Sequence, residues 1–406
     1  MNLNANLKVL HVTASIGGGG AETMLCNLVE GMADTGVDSV IVSVGAADET
    51  NLAARAKKAA TGYHELGAKS YLRGGAFGRL AQIIREERPD VVQTWMHKAD
   101  LFGGAAARKA RTGAKIVWGI HARDIFAPEG YPTWRTNAFR KALAVASKTL
   151  PDRIISCSQA AIESHAAMGY PRHKMVWIGN GIDTHRFTPR PDARAALRAD
   201  LGIPSDAPVV GFAGRFAPVK DVPTLLRAAA LLMRERPDAH LVLCGDGIEA
   251  ADDRIRAGIE ALPDRSRLRI LPFRPDMENV YPAFDLTALT SLSEAYPMSL
   301  IESLACGVPA VSTEVGDAAR IIGAAGRTAP AGEAEAIGKA WLQILALPAE
   351  ERRALSAEAR SRAVCEFSLP TCVLRYRALY RELAAEKRGA IGSRTKPQSQ
   401  PAHARC

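Results

Sequence analysis

The feature that most constrains the fold is an alternation of short apolar stretches with longer amphipathic ones, which runs through the chain twice. The short stretches, rich in Val and Ile, predict buried strands, and the longer stretches predict helices. Strand–helix alternation favours a parallel sheet covered by helices on both faces, so the sequence predicts an α/β chain with two doubly wound, Rossmann-like domains. The predicted strands are 8–13, 38–44, 90–93, 115–119, 153–156 and 174–178, then 208–213, 240–244, 268–271, 284–289 and 309–312.

The predicted helices separate these strands and then close the chain. An Asn-Gly pair at 180–181 and a Pro-rich segment at 188–191 interrupt the alternation, and 406 residues suit two domains. We expect domains at 1–182 and 183–369, a final helix at 370–388 and a disordered basic tail at 389–406. The predicted helices are 21–34, 76–88, 98–111, 134–149 and 158–168, then 192–201, 221–236, 248–261, 298–306, 332–346, 349–365 and 370–387.

The composition excludes several classes of protein. Hydrophobic residues make up 47% and charged residues 23% of the chain, which is typical of a globular protein. No apolar run approaches the length of a membrane-spanning helix, and no secretory leader is evident. The seven Cys are dispersed without a C-x-x-C pair, which indicates reduced thiols and not a disulfide frame or a zinc site. We therefore expect a soluble, cytoplasmic chain.

The net charge of +9 lies mainly in the first half and in the tail. Anionic lipid, nucleic acid or a phosphorylated substrate could meet it, and a solvated Arg-rich surface is the alternative. The segment 131–153 combines Arg135, Arg140 and Lys141 with Trp134 and Phe139, which suits an anionic membrane surface. A surface helix packed by its apolar face explains the same residues.

A run of four glycines at 17–20 follows the first predicted strand (SIGGGGAE). Glycines there allow another molecule to approach the backbone, next to the free N–H groups of the following helix. A dinucleotide-binding G-x-G-x-x-G pattern fails because Glu22 stands where its third glycine belongs, and no NTPase phosphate loop occurs. A ligand-facing loop and a tight turn are the two interpretations.

Two carboxylates and two cations stand near the carboxyl ends of strands in the second half. Glu294 follows a predicted strand and Glu302 lies eight residues later, inside a helix whose first N–H groups favour an anion. Carboxylates suit the paired hydroxyls of a sugar or a ribose. Arg215 and Lys220 flank the turn after the first strand of this half and suit a phosphate. The alternative is a structural role: one Glu at a helix N-terminus, the other Glu solvated, and both cations part of the charged surface.

Seven segments in order resemble the retaining glycosyltransferases of family 4, glycosyl transferases group 1, which have the GT-B fold. The resemblance covers nearly the whole chain and implies two domains facing a central cleft, an acceptor-binding first domain, a nucleotide-sugar-binding second domain and a last helix crossing back to the first. The segments are SIGGGGAETML, WGIHARD, IGNGIDTHRFTP, GRFAPVKDVPTLLRA, CGDG, PFRPDMENVYPAFDL and SEAYPMSLIESLACGVPAVS.

The resemblance also implies residue roles. Arg215 and Lys220 would hold the donor diphosphate, Glu294 the donor-sugar hydroxyls and Glu302 the ribose, while His121 would lie over the donor sugar near the reacting carbon. The other implied donor contacts are Gly18, Gly19, Gly245, Phe273, Arg274, Met298, Ser299 and Leu300. Gly17, Gly18 and His97, which follows a predicted strand, are the expected acceptor contacts.

The chain departs from the family pattern at three positions. Ala295 replaces the usual Gly after the first Glu, and Asp317 and Arg320 stand where many members have Gly and Glu. These departures bear on the donor-sugar contacts and leave the reaction class unchanged.

The expected reaction moves a sugar from a nucleotide-diphosphate donor to a glycan or polyprenyl-linked acceptor, with retention of configuration. No D-x-D triplet or ligand-spaced acidic cluster occurs, so we expect no metal and no cofactor beyond the co-substrate. The family suggests cell-envelope polysaccharide synthesis, at the inner face of the cytoplasmic membrane.

Other functions are compatible with the sequence. A sugar-nucleotide 2-epimerase or a glycan phosphorylase would share the fold, and a non-catalytic two-lobed small-molecule binding protein is a different class. Nucleic-acid binding has no motif to support it, and we expect no nucleic-acid partner.

Overall fold

The computed structural model describes residues 6–17, 19–33, 35–46, 51–68, 71, 75–125, 133–247 and 253–394. Within these residues the chain forms two parallel sheets, each covered by helices on both faces. Every ladder between neighbouring strands is parallel.

The first sheet has seven strands, and its centre is apolar because helices cover both faces: Val9 and Leu10 are fully buried. Its strand order, β3-β2-β1-β4-β5-β6-β7, is doubly wound. The strands are β1 (Leu7–Thr13), β2 (Val37–Ser43), β3 (Gly62–Glu65), β4 (Val91–Thr94), β5 (Lys115–Ile120), β6 (Arg153–Ser156) and β7 (Met175–Trp177). The helices are α1 (Gly20–Met32), α2 (Asn51–Ala59), α3 (Ala76–Glu87), α4 (His97–Ala110), α5 (Trp134–Ser147) and α6 (Gln159–Ala167).

The second sheet repeats this plan with six strands. The strands are β8 (Val209–Ala213), β9 (His240–Cys244), β10 (Leu268–Leu271), β11 (Leu286–Leu289), β12 (Ala310–Thr313) and β13 (Gly326–Ala329), in the order β10-β9-β8-β11-β12-β13. The helices are α7 (Pro191–Asp200), α8 (Val222–Glu235), α9 (Asp253–Glu260), α10 (Met277–Val280), α11 (Met298–Ala305), α12 (Ala318–Ile322), α13 (Ala334–Leu345) and α14 (Ala349–Phe367).

The chain passes between the two domains at two adjacent points. The N–H of Ile182 donates to the Phe367 carbonyl at 2.9 Å, and the N–H of Leu369 donates to the Ile182 carbonyl at 2.7 Å. A Cβ at Gly181 would lie 2.6 Å from that of Cys372, so a larger residue would force the two crossings apart.

The last helix, α15 (Leu369–Arg394), returns to the first domain. Tyr376, Tyr380 and Leu383 are fully buried among side chains of the first sheet and of α1. The Tyr380 hydroxyl donates to Oε1 of Gln93 on β4 at 3.1 Å. The predicted two-domain α/β fold and its returning helix are confirmed.

Five of these helices and strands were not predicted from the sequence, and one boundary differs. Two of the five are the short helices α10 and α12. The strands β3 and β13 are edge strands with polar residues, and α2 is mostly polar, so none produces a clear apolar run. The helix α15 extends to Arg394, past the predicted end at 388, because Gly389 and Gly392 weaken a helix without ending it and the first Pro follows only at 397. Residues 395–406 lie outside the described residues.

In the described part of the chain, no helix is both long enough and apolar enough to cross a bilayer.

Candidate active site

Four loops of the second domain lie side by side at the carboxyl ends of neighbouring strands. The strand order β10-β9-β8-β11 places the loops after these strands in a row. They carry, in that row, Phe273, Gly245, Arg215 and Glu294. In doubly wound sheets ligands bind at this edge.

Lys220 and Glu294 form the central contact of this row. The Lys220 Nζ lies 2.5 Å from Oε1 of Glu294, and the two side chains are 21% and 15% exposed. Such a charge pair is only partly screened by solvent, so it fixes both side chains at this edge of the sheet.

Backbone contacts hold the two loops together. Residues Pro218–Lys220 form a single 3-10 turn, which ends at Asp221 in the left-handed region (φ 46°). The N–H of Leu292 donates to the Val219 carbonyl at 2.7 Å, and the Thr290 hydroxyl donates to the Lys220 carbonyl at 2.9 Å. The position of the ammonium therefore follows from the backbone.

Glu294 has a second partner on its own loop. The Ser291 hydroxyl donates to Oε1 of Glu294 at 2.8 Å, and the Ser291 carbonyl accepts from the Thr313 hydroxyl at 2.6 Å. The predicted Glu is thus oriented by a serine three residues earlier.

Arg215 lies on the adjacent loop but does not join this pair. Its side chain is exposed, and no described residue forms an ion pair or hydrogen bond with its guanidinium. The loop is closely packed, because a Cβ at Gly245 would collide with the Gly214 carbonyl oxygen. Arg215 therefore presents an unengaged cation at the strand ends.

Glu302 lies deeper, within α11, and is separate from the Lys220–Glu294 pair. The Tyr281 hydroxyl donates to Oε2 of Glu302 at 2.8 Å. Burial raises the pKa of the Glu302 carboxyl above its ordinary value, against the lowering effect of this hydrogen bond.

The start of α11 partly provides the predicted free donors. The N–H groups of Met298 and Ser299 donate to no described group, whereas that of Leu300 turns back to the Pro297 carbonyl at 3.2 Å. Leu300 is also fully buried. Two of the three expected donors therefore remain open, and Leu300 is not one of them.

Phe273 and Arg274 follow β10 at the outer end of the row. Phe273 is 61% exposed, as a base-stacking side chain would be before its ligand binds. Arg274 is already engaged, since its guanidinium donates twice to the Asp276 carboxylate at 2.8 and 2.7 Å.

His121 follows β5 in the first domain and lies near Asn180, whose amide donates to Sδ of Met298 at the start of α11 at 3.5 Å. Its ring stacks on Trp95 with centroids 4.8 Å apart and planes inclined by 15°. The Asn180 side chain lies close to the ring, but no contact of either ring nitrogen with a described residue has hydrogen-bond geometry. Burial lowers the pKa of His121 to about 4, so the ring is neutral at physiological pH and free to bond a ligand.

The predicted acceptor contact His97 is packed inside the first domain. Its side chain is 6% exposed, and its Nε2 lies 3.2 Å from Nε2 of His165 in a stacked pair. The surrounding side chains lower the pKa of His97 to about 3 by burial. Its Nε2 is thus engaged by His165 of the neighbouring helix α6, and the acceptor contact of His97 stays a prediction.

The glycine run leads into α1. Gly17 is half-buried, Gly19 is exposed at the helix start, and the Gly19 carbonyl accepts from the N–H and hydroxyl of Thr23 at 2.9 and 3.0 Å. A Cβ built at Gly20 would have no described residue within 4 Å beyond its chain neighbours and the backbone of α1. Gly18 lies outside the described residues.

Three described residues at the site were missed from the sequence. Ser291 orients Glu294, Tyr281 bonds Glu302, and the Asn180 side chain is 6% exposed with its Oδ1 unpartnered. Only the short spacing of Ser291 to Glu294 offered a sequence signal. Over the described ranges, no three His, Cys, Asp or Glu side chains are grouped as a metal would require.

Two doubly wound domains, with charged loops at facing strand ends and a final helix that returns to the first, define the GT-B class of folds. Two family models match the chain: Glycosyltransferase Family 4 over residues 18–186, and Glycosyl transferases group 1 over residues 193–362. The chain belongs to this family of group 1, family 4 glycosyltransferases.

Individual relatives agree with this assignment. The D-inositol 3-phosphate glycosyltransferase of Saccharomonospora viridis is 34% identical over 223 residues, which are 52% of this chain and 51% of that protein. The protein of the same name from Thermobispora bispora is 28% identical over 278 residues, or 63% and 62%. The chain thus matches less than two thirds of the length of these relatives.

Solved structures share the fold. HepE of Anabaena in complex with UDP superposes with a TM-score of 0.80 at 21% identity, covering 93% of this chain and 100% of HepE. A glycosyltransferase from Rickettsia africae gives a TM-score of 0.77 at 20% identity, covering 93% and 98%.

Proposed function

We propose that this protein is a retaining glycosyltransferase that moves a sugar from a nucleotide-diphosphate donor to a glycan or lipid-linked acceptor. The observation that carries the proposal is the 2.5 Å contact of Lys220 with Glu294, beside the unengaged Arg215. A diphosphate leaving group needs positive charge, and sugar hydroxyls need acceptors, at one strand edge.

The charge arrangement supports a transfer mechanism without metal. As the bond from the sugar C1 to the phosphate oxygen breaks, Lys220, Arg215 and the N–H groups that begin α11 stabilise the diphosphate charge. The acceptor oxygen bonds to C1 on the same face, and its proton passes to the departing phosphate oxygen. We expect full turnover in the presence of a chelator.

The remaining side chains complete the donor site. Glu302 binds the ribose hydroxyls, Phe273 lies against the base, and His121 hydrogen-bonds the donor sugar as a neutral ring. Closure of the cleft excludes water, which would otherwise hydrolyse the donor.

We propose one class of donor nucleotide and two candidate acceptors. HepE was solved with UDP, which favours a UDP-sugar donor. A polyprenyl-linked acceptor fits the basic first domain and a role in cell-envelope polysaccharide synthesis at the inner face of the cytoplasmic membrane. D-inositol 3-phosphate, named for the relatives, is the second acceptor candidate.

The test is a thermal-shift screen of UDP-, GDP- and ADP-sugars, followed by transfer assays with each acceptor and NMR of the product. We expect one donor class to stabilise the protein and the product to keep the donor's anomeric configuration. An inverted product would refute retention, epimer formation from donor alone would indicate an epimerase, and binding without turnover would indicate a binding protein.

A further inference from the structure

Asp317 connects the two domains through its carboxylate. It stands between β12 and α12 in the second domain and is 4% exposed. Its Oδ2 accepts from the N–H of Gln159 at 2.9 Å and its Oδ1 from the N–H of Ala160 at 3.0 Å. These donors begin α6 in the first domain, so the buried carboxylate satisfies helix-terminal groups of the opposite domain.

The next N–H group of α6 is capped from within the first domain. The Ser158 hydroxyl accepts from the N–H of Ala161 at 2.9 Å. The first three N–H groups of α6 are therefore bonded, two of them across the cleft. Separating the domains would break both cross-domain bonds and expose the Asp317 carboxylate.

The backbone of the same segment supports the loop of Glu294. The N–H of Asp317 donates to the Ala295 carbonyl at 3.1 Å. Gly316 has a positive φ of 54°, and a Cβ there would collide with the Glu294 carbonyl oxygen. The loop that carries Glu294 thus rests directly on the residue that bonds the other domain.

A second contact lies one turn along α12. The Arg320 guanidinium lies over the Trp177 ring at 5.3 Å from its centroid. Trp177 ends β7, and its Nε1 donates to the Cys157 carbonyl at 3.3 Å. Asp317, which precedes α12, and Arg320, which lies within it, therefore both contact the first domain.

We propose that Asp317 is a positioning residue that places Glu294 over the donor sugar only when the domains are closed. This inference rests on the proposed transferase function. Asp317 holds both the Glu294 loop and the start of α6. The position of the Glu294 carboxylate and the domain closure that excludes water therefore depend on the same residue. Without the cross-domain bonds, the donor still binds, but transfer slows and water competes for the activated sugar.

Two variants remove the contact from opposite sides. Asp317→Asn keeps the shape but directs an amide N–H₂ toward an N–H donor. Gln159→Pro removes one donor and leaves Asp317 intact. Proline is tolerated at the first helical position, and Ser158 already has the extended conformation (φ −139°, ψ 150°) that precedes proline. Gln159→Ala, which keeps the N–H, is its control.

The assays measure transfer, donor hydrolysis and the radius of gyration in solution. For Asp317→Asn we expect kcat for transfer to fall about tenfold, the donor KM to change less than about threefold, and the hydrolysis-to-transfer ratio to rise. Gln159→Pro should also lower kcat for transfer and raise the hydrolysis-to-transfer ratio, each by about half as much on a logarithmic scale. In the double variant, the fold-loss in kcat should be smaller than the product of the two single fold-losses, because both substitutions remove the same contact.

Asp264→Asn is the matched control, because that carboxylate caps a turn within the second domain by accepting from Ser266 N–H at 2.8 Å. An unchanged hydrolysis-to-transfer ratio in both Asp317→Asn and Gln159→Pro would overturn the inference. If the wild type transfers no sugar, the proposed function fails; the cross-domain contact is then tested by X-ray scattering, where equal radii of gyration for wild type and both variants overturn it.

Discussion

The Lys220 ammonium and the Glu294 carboxylate meet at 2.5 Å across two loops that leave the neighbouring strands β8 and β11. A diphosphate entering the cleft would compete with Glu294 for this ammonium, while the sugar hydroxyls would compete with Lys220 for the carboxylate. The pair therefore holds both side chains in place before the donor arrives.

Replacing the ammonium tests this arrangement. Lys220→Ala should lower kcat/KM by about 100-fold, because one charge-assisted contact to the leaving group is lost. Steady-state kinetics with the donor identified by thermal shift gives the measurement. Lys339→Ala, on the exposed face of α13, is the control, and a loss of less than about threefold in Lys220→Ala would count against a role in leaving-group stabilisation.

The neutral His121 ring should affect turnover more than donor binding. His121→Ala should reduce kcat about 100-fold and change the donor KM less than about threefold, because the contact strengthens as charge develops. With its pKa lowered to about 4, the ring stays neutral from pH 5.5 to 8. An acid limb near pH 6.5 that disappears in His121→Ala would contradict this, and the exposed His185→Ala serves as control.

The Tyr281 hydroxyl should tune the ribose contact of Glu302. Tyr281→Phe removes the hydrogen bond that lowers the Glu302 pKa, so this pKa should rise further and the carboxyl should bind hydroxyls less well. We expect the donor KM to increase about fivefold with kcat nearly unchanged. The increase should vanish with a donor that lacks the ribose 2′- and 3′-hydroxyls, and an equal increase with that donor would exclude a ribose contact.

Buried histidines should make the protein less stable in mild acid. Burial lowers the pKa of His11 to about 3, of His97 to about 3 and of His121 to about 4. Between these values and about 6.5 the unfolded chain binds more protons than the folded one, so the free energy of unfolding falls as pH decreases through this window. Each group contributes up to about 1.4 kcal/mol per pH unit.

Denaturant unfolding at pH 7.5, 6.5 and 5.5 measures this slope. His11→Gln, which keeps an acceptor for Trp95 Nε1, should flatten it, and the exposed His185→Gln should not. A free energy of unfolding that is constant or rises toward pH 5.5 would contradict the expectation.

The outer face of α5 should bind anionic lipid if the acceptor is membrane-borne. Trp134 is 75% exposed, and the Arg135 guanidinium lies 5.4 Å from its ring centroid. Sedimentation with anionic vesicles should pull down the wild type, and Trp134→Ala with Lys141→Ala should weaken binding at least about fivefold. No sedimentation with anionic vesicles would indicate a purely solvated surface, and equal sedimentation with neutral vesicles would exclude a preference for anionic lipid.

The fold was predictable because its strands are nearly continuous apolar runs. The buried strands β1 and β8 match their predicted ranges within one residue. The edge strands β3 and β13 were not predicted, since a half-exposed edge needs no apolar run. Edge elements depend on pairing with a neighbour, which the local sequence does not reveal.

The site was predictable where a charged residue follows a strand, and less so where its partner is distant. The strand positions brought Lys220 and Glu294 to one edge, 74 residues apart in the sequence. His97 shares that position relative to a strand but lies against His165, 68 residues away, and only the three-dimensional packing of α6 reveals this. The cross-domain bonds of Asp317 were visible in the sequence only as a departure from the family pattern.

The burial of Tyr376, Tyr380 and Leu383 against the first sheet has a consequence for biosynthesis. These side chains follow the second domain in the chain, yet they cover apolar surface of the first domain, which is translated before the second. On the ribosome the second domain can reach its native packing before the first, whose core stays incomplete until α15 emerges. A nascent chain stalled before residue 369 would therefore leave apolar surface of the first domain uncovered, including the face of α1 against which α15 packs, and should bind holdase chaperones.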